Sequence, residues 1–400
     1  MLRIVWILAL AWLLGACTPE ASTYEVTVLS GTVDRVSTPV YLDVDAPAVT
    51  EATPVCVRDG AAGMPGQVEP LEGRRRRIWW TVTQPAGASR HYTLHLGEAC
   101  AVAASFTWRV DADTARTLLL AGRPVLQYVH PVFNPAHVQA TNKPFHHVFD
   151  PVDGTPRITK GVGGLHEHHR GLFFGYTEVI VEGDTLNLWW ANDGEHQAHV
   201  AFEEEVGGPV FGGHTVRIRW TDRQGEPVAE EWRTVRVFRQ PAGQTLIDWR
   251  THLETRRGSI RLDGDRHHAG VQFRAAQEVA EHEDRTTFLR PAAWAHRPPD
   301  LDVNDSTHVN LPWNAMQFDV GGEGFTVACL TDPANPYGGH APFSERRYGR
   351  FGEFFPFDLT RSRPLDVHYR WWVRAGRDVP RDTVEARYRD LAHPPIVSRP

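Results

Sequence analysis

Residues 215–238 read TVRIRWTDRQGEPVAEEWRTVRVF. In an extended chain Val216, Ile218 and Trp220 point to one side and Arg217 and Arg219 to the other, the period-2 pattern of a half-buried strand. Asp222 to Gly225 supplies turn residues, and EEWRTVRVF then runs back, so the stretch predicts a β-hairpin. The same pattern recurs at QTLIDWRTHLE, GVQFRA, AMQFDV, GFTVACL and PLDVHYRWWVR. Helix signals are scarce. The best lies near the C-terminus, where Asp382 is placed to cap a short helix with Glu385 three residues on and Val384, Tyr388 and Leu391 on one face.

Upstream, YEVTVLSG, VYLDVDAP, RIWWTVT, HYTLHLGE and SFTWRVDAD are shorter segments of the same kind, broken by Gly, Pro, Asn or Asp. The fold class expected is all-β: a large antiparallel β-sandwich over residues 116–400, preceded by a small β-sandwich domain over residues 18–115. Arg74 to Arg77 precede a strand and read as a solvated loop.

Met1 to Cys17, MLRIVWILALAWLLGAC, carries one arginine, an apolar run and small residues before a cysteine, as a bacterial lipoprotein signal peptide does. Leu14-Gly15-Ala16-Cys17 resembles a lipobox, which implies cleavage before Cys17 and acylation of its sulfur. The expected location is the cell envelope, periplasm or outer membrane, with membrane contact only through the lipid anchor. In that oxidising setting Cys56 and Cys100 are plausible partners, whereas Cys329 in FTVACL reads as a buried core thiol. A net charge of −7 gives no field to collect polyanions, which speaks against nucleic acid as a partner.

Histidine is densest between His130 and His169, a stretch that also holds Lys143 and Lys160, the two lysines of the chain. If HEHH is extended, His166 and His168 face one way and Glu167 and His169 the other, so one strand presents two imidazoles to a common ligand. A metal site then draws further ligands from His146 or His147. Gly161, Gly163, Gly164 and Gly171 let the backbone bend around the cluster, and Arg170 has the planar fork that grips a carboxylate. Asp263, Asp265, His267 and His268 form a second concentration, expected to meet the first at one end of the sandwich. The run DPANPYGGHAPFSERRYGRFGEFFPF, with Arg346, Arg347 and Arg350, reads as a long loop lining a pocket.

In order, KPFHHVFDP, ITKGVGG, HHRGLFFGY, HAGVQFRA and YGRFGEFFPF resemble the signature blocks of an uncharacterised bacterial family labelled PmoA-like, or methane oxygenase PmoA, from about Gly122 to Ala392. The resemblance puts His147, His168, His169, Arg170 and His268 on motif positions, with His166 and His267 as local variants. The label implies methane oxidation. The membrane-bound subunit of that name is a multi-helix membrane protein, whereas nothing after the leader of this chain is apolar for long enough to span. The family otherwise resembles proteins of polysaccharide breakdown, with a sandwich similar to that of sugar mutarotases and carbohydrate lyases.

The expectation is therefore a surface lipoprotein acting on carbohydrate by hydrolysis, elimination or epimerisation of a sugar or uronic acid. His169 is assigned as acid or base, Arg170 as carboxylate anchor and Lys160 as a second cation. Tyr176, Trp189, Trp190 and Arg350 are assigned to the substrate, and His147, His168 and His268 to a divalent metal, if the chain uses one. A paired-carboxylate glycosidase would draw on Glu167, Asp265 and Glu353. The competing classes are a non-catalytic glycan-binding lipoprotein and a metal or redox protein true to the label.

Overall fold

The computed structural model describes residues 22–101, 104–264, 268–296 and 310–400. The leader with its lipobox, Asp265 and His267 lie outside the described residues.

The hairpin forms where expected. Phe211–Thr221 pairs antiparallel with Pro227–Phe238, and Val216, Ile218 and Trp220 are buried. Its turn is held by Asp222, whose Oδ1 accepts from the backbone N–H groups of Gln224 and Glu226 at 2.9 Å each. This is the Asx geometry that makes aspartate a turn residue.

Outward from the hairpin an eight-stranded antiparallel sheet runs His196–Val206, Phe211–Thr221, Pro227–Phe238, Gln244–Thr255, Leu365–Ala375, Glu323–Thr331, Trp313–Val320 and Thr287–Leu289. A second one runs Phe343–Arg346, Arg350–Glu353, Ala269–Arg274, Leu172–Tyr176, Phe145–Val148, Arg123–Val129, Ala115–Leu120 and Phe106–Ala112. Their inner faces share one apolar core, which joins Leu126, Val148, Leu172 and Phe174 to Val216, Ile218, Trp249 and Trp371. That contact makes the large sandwich. The run around Arg346 and Arg350 is not a long loop: Phe343–Arg346 and Arg350–Glu353 pair as a hairpin at the edge of the second sheet.

The small unit is also a sandwich. Ala62–Pro70 pairs with Val55–Asp59 on one side and Arg75–Gln84 on the other, and so belongs to both layers. Cys56 and Cys100 are disulfide-bonded there, and Cys329 is buried in the large core. Arg75, Arg76 and Arg77 open a strand rather than forming a solvated loop, with Arg75 and Arg77 both paired to Asp43. The last strand, Ile396–Ser398, returns to pair with Ser22–Leu29.

The C-terminal helix Arg381–Ala392 is present, but its N-cap is Pro380 and Asp382 makes no capping hydrogen bond. Glu385 instead accepts from the Trp313 indole at 2.7 Å. On the helix, Asp390 receives the buried guanidinium of Arg35 at 2.8 Å and the hydroxyl of Thr38, which ties the helix to the small sandwich.

One part of the large core is polar. His130, His146, His199 and His214 gather around Tyr128 between the two sheets. The Nε2 atoms of His146 and His214 lie 3.0 Å apart, and Tyr128 Oη meets His199 Nδ1 at 3.2 Å. Burial holds His214 down to about 3 and His130 and His199 to about 4. The unfolded chain protonates these rings near 6.5, whereas the native state leaves them neutral to much lower pH. Below 6.5 the unfolded state thus binds more protons, and stability falls as pH falls, by up to about 1.4 kcal/mol per pH unit for the enclosed His214 and by less for His130 and His199, which lie nearer solvent. We predict that urea-unfolding stability declines from pH 6.5 to 5, above the main carboxylate range, and that His214→Phe flattens the decline. An unchanged slope in the variant would place the acid sensitivity elsewhere.

Candidate functional site

Residues 161–171 link Lys160 to the strand Leu172–Tyr176, and their backbone is pinned at both ends. Lys160 N–H donates to Arg274 O at 3.0 Å, Gly171 N–H to Lys160 O at 2.8 Å, and Arg274 N–H to Gly171 O at 2.8 Å. HEHH is not extended. His166 has φ +54° and the His169 N–H returns to His166 O at 2.9 Å, so the segment is a turn that carries His168 and His169 to one place. Gly171 is required at its position. It has φ +48°, and a Cβ there would stand 2.2 Å from His146 O.

The turn meets His268, which precedes the strand Ala269–Arg274. One ring nitrogen from each of His168, His169 and His268 lies within 4.8 Å of the other two. The ring centroids of His168 and His169 are 4.1 Å apart, and those of His169 and His268 are 5.4 Å apart and nearly parallel. His169 is fully buried, whereas His168 and His268 are half-buried. Trp190 packs 5.1 Å from His268 and 5.4 Å from His168, and Tyr348 4.7 Å from His166. His166 and Glu167 are exposed at the rim. Both nitrogens of His169 and Nε2 of His168 are buried without a hydrogen-bond partner. Burial pushes His168 down to about 2 and His169 well below the ordinary range, helped by the charges of Lys143 and Arg350. All three of His166, His168 and His169 are therefore neutral at pH 7.

His147 does not join this group. It sits on Phe145–Val148 with Nδ1 3.0 Å from Thr159 Oγ1, so the three rings that meet are His168, His169 and His268, not His147, His168 and His268. Arg170 is fully buried and turned away from any ligand: Nη1 donates to Ala140 O at 3.2 Å, and Nη2 to Gln139 O and to Asn142 Oδ1. Its fork closes the short helix Val138–Thr141 instead of a carboxylate. Lys160 donates to His166 O at 3.3 Å and His169 O at 3.1 Å, and burial lowers it to about 8. It shapes the turn. Tyr176 is fully buried in the core, and Trp189 is enclosed with Phe145 and Phe173, so neither presents a face to a sugar; Trp190 does so in part. Arg350 is buried behind the cluster, with Nη1 on Gln272 Oε1 at 3.0 Å and Nε on Tyr348 Oη at 3.0 Å. Glu353 is buried beside Thr331 and raised to about 8 by burial, far from pairing with the exposed Glu167.

Three residues were not singled out by the sequence. Tyr348 flanks His166, and Lys143 lies over the Phe173 ring at 4.2 Å with its ammonium on Trp189 O. Arg274 is fully buried and donates Nη1 to Tyr348 O, leaving Nε and Nη2 without partners. Each stands inside a quoted motif block, which was the available signal. A cavity of about 720 Å³ lies elsewhere, lined by Tyr41, Trp232, Asp248, Asp332 and His368. There His368 spends both ring nitrogens on Asp332 and Asp248, at 2.6 and 2.9 Å, so it has none to offer a substrate.

The turn's dependence on Gly171 is testable. Gly163 also has positive φ, but open space surrounds its missing Cβ. Gly163→Ala should cost about 1–2 kcal/mol for the left-handed backbone alone. Gly171→Ala should cost about 1–3 kcal/mol more, for the added clash. Equal losses in urea unfolding would show that the turn relaxes around the methyl group.

Comparison with known proteins adds three findings. No curated protein matches the chain. Among solved structures, a GalM/aldose epimerase homologue from C. elegans aligns over 68% of this chain and 99% of its own, at 9% identity and a TM-score of 0.30. A family model described as "Family of unknown function (DUF6807)" matches residues 115–389, which covers the three-histidine cluster and the large sandwich apart from its edge strand Phe106–Ala112, and the chain belongs to that family.

Proposed function

We propose that the chain is a carbohydrate-active enzyme of the cell envelope, anchored through an acylated Cys17, and that it acts on a sugar bearing a carboxylate. The observation that carries this reading is the pairing of neutral imidazoles with a buried cation, Arg274, that has no carboxylate partner among the described residues and leaves two donors unused, beside Arg350. Such a setting stabilises negative charge, whether on a bound carboxylate or on the enolate formed next to one. Trp190 and Tyr348, both half-buried at the rim, give apolar faces of the kind that pack against sugar rings. The Cys56–Cys100 disulfide suits an exported protein.

The chemistry favoured is removal of the proton α to the carboxylate, leading to elimination or epimerisation. His166 is the base. Its ring is at the rim beside Tyr348, and burial together with Arg274 and Arg350 holds it below the usual histidine value. It takes the proton, and the carbon–hydrogen electron pair moves onto the carboxylate as an enolate. In elimination that pair returns to expel the glycosidic oxygen, which leaves with a proton; in epimerisation a proton is returned to the opposite face. Hydrolysis by two facing carboxylates has less support, since Glu167 and Glu353 are on opposite sides of the solvent boundary.

The test is turnover of oligosaccharides containing uronic acid, followed by ultraviolet absorbance of an unsaturated product and by solvent deuterium entering the sugar. His166→Ala should lower kcat about 100-fold or more with little change in KM. The wild-type rate should fall as pH drops through the pKa of His166, below 6.5, and stay level above it. Turnover confined to neutral sugars, or an unaffected His166→Ala enzyme, would overturn the reading; tight uronate binding without turnover would make the chain a binding protein.

A further inference from the structure

We propose that His168, His169 and His268 form an open three-histidine centre for one divalent transition-metal ion, of which zinc is the type. The centre stands whether or not the substrate is an acidic sugar.

Geometry comes first. The three rings arrive from two separate segments of chain, and one nitrogen from each lies within 4.8 Å of the others. Zinc–nitrogen bonds of about 2.0–2.1 Å place tetrahedral ligand atoms a little over 3 Å apart, so ligation draws these nitrogens inward by about 1.5 Å at most, within reach of side-chain torsions.

The second observation is the orphaned nitrogens. A buried polar atom without a partner costs about 1–3 kcal/mol, and native interiors leave few of them. His169 leaves both ring nitrogens so, in a fully buried side chain, and His168 leaves Nε2. Ring packing alone explains why the imidazoles are close but not why their lone pairs go unused. The core histidines differ in degree: His130 leaves Nε2 and His146 and His214 each leave Nδ1 without a partner, but His146 and His214 meet through Nε2 and His199 meets Tyr128, whereas His169 leaves both of its nitrogens unused. A metal ion between the rings satisfies a nitrogen of His168 and one of His169, with His268 as the third ligand.

The donor set then selects the ion. Among the described residues the group is three imidazoles without thiolate or carboxylate, a donor set that suits zinc, cobalt, nickel or copper rather than the oxygen-seeking calcium and magnesium. Three protein ligands leave a fourth position open, as catalytic zinc sites do. The charge of Arg350, which acts on His169, weakens binding of a bare cation and favours an anion in that position, hydroxide or a substrate carboxylate. In the acid-sugar reading, the ion would hold the carboxylate while His166 takes the proton.

The test uses the mature chain without an affinity tag, stripped with chelator and dialysed against zinc or cobalt chloride. About one ion per chain should survive gel filtration, and the cobalt form should show the intense visible bands of a four-coordinate site. His169→Ala and His268→Ala should each weaken zinc binding about 100-fold or more in competition with a chromogenic chelator, while His147→Gln retains it. Circular dichroism establishes that the variants are folded, and the cobalt spectrum of the unaltered chain judges the site should they not be. Failure to bind zinc or cobalt, or full binding by the variant lacking all three imidazoles, would overturn the proposal. Metal is measured without substrate, so a failure to turn over uronates leaves this result untouched.

Discussion

A single buried ammonium organises the candidate site. Lys160 reaches across its own loop to the carbonyls of His166 and His169, while its backbone joins Arg274 and Gly171. The bond to the His169 carbonyl is buried and that to His166 part-buried, and a flexible lysine with three donors is suited to collecting acceptors from a curved backbone. Arg170 closes the other end by holding the carbonyls of Gln139 and Ala140, and Gly171 permits the close pass over His146. The positions of His168 and His169 follow from these three residues rather than from a strand.

The histidines thus fall into two populations set by backbone. Those on paired strands, His130, His146, His199 and His214, inherit the strand's alternation and point into the sandwich, where they hydrogen-bond or stack with Tyr128 and with one another. Those on the turn escape alternation, so neighbours in sequence share one hollow and leave ring nitrogens free. Burial makes both sets neutral and both leave some ring nitrogens without partners, but among the described residues it is the second that brings three ring nitrogens within 4.8 Å of one another.

This division explains what the sequence made legible. Alternation is a local property, so the hairpin at 211–238, the all-β class and the burial of Cys329 could be read directly. Motif order indicated that His168, His169 and His268 matter, and they do meet. The direction in which a long cation points is not local. Arg170 and Lys160 have the chemistry of ligand anchors, but they spend it on carbonyls whose inward orientation is created by the turn itself. His147 was misplaced for a related reason: adjacent strand residues face opposite ways, and its side of the sheet carries Thr159, not the turn. The edge hairpin around Arg350 was hidden because its strands are only four residues each and rich in glycine and arginine.

Charge balance is what separates this hollow from the rest of the molecule. Several buried guanidiniums elsewhere meet carboxylates, Arg35 with Asp390, Arg233 with Glu231 and Arg290 with Glu345, although Arg387 has only Val36 O and Gln244 Oε1. Removing a cation from water costs several kcal/mol, and a paired anion is the usual compensation. Arg170 and Arg274 have only carbonyl and amide oxygens, and Arg274 leaves two donors without any partner. Both adjoin the turn that carries the unpaired imidazoles. Two such arginines beside one turn, one with donors to spare, hold this place in a state that an anion stabilises. The same reasoning limits a metal centre, since a divalent ion beside uncompensated arginines is best held when an anion fills its open position. In the proposed centre, imidazole lone pairs and excess positive charge are met together by one composite ligand, a metal ion with a carboxylate or hydroxide upon it, rather than by either alone.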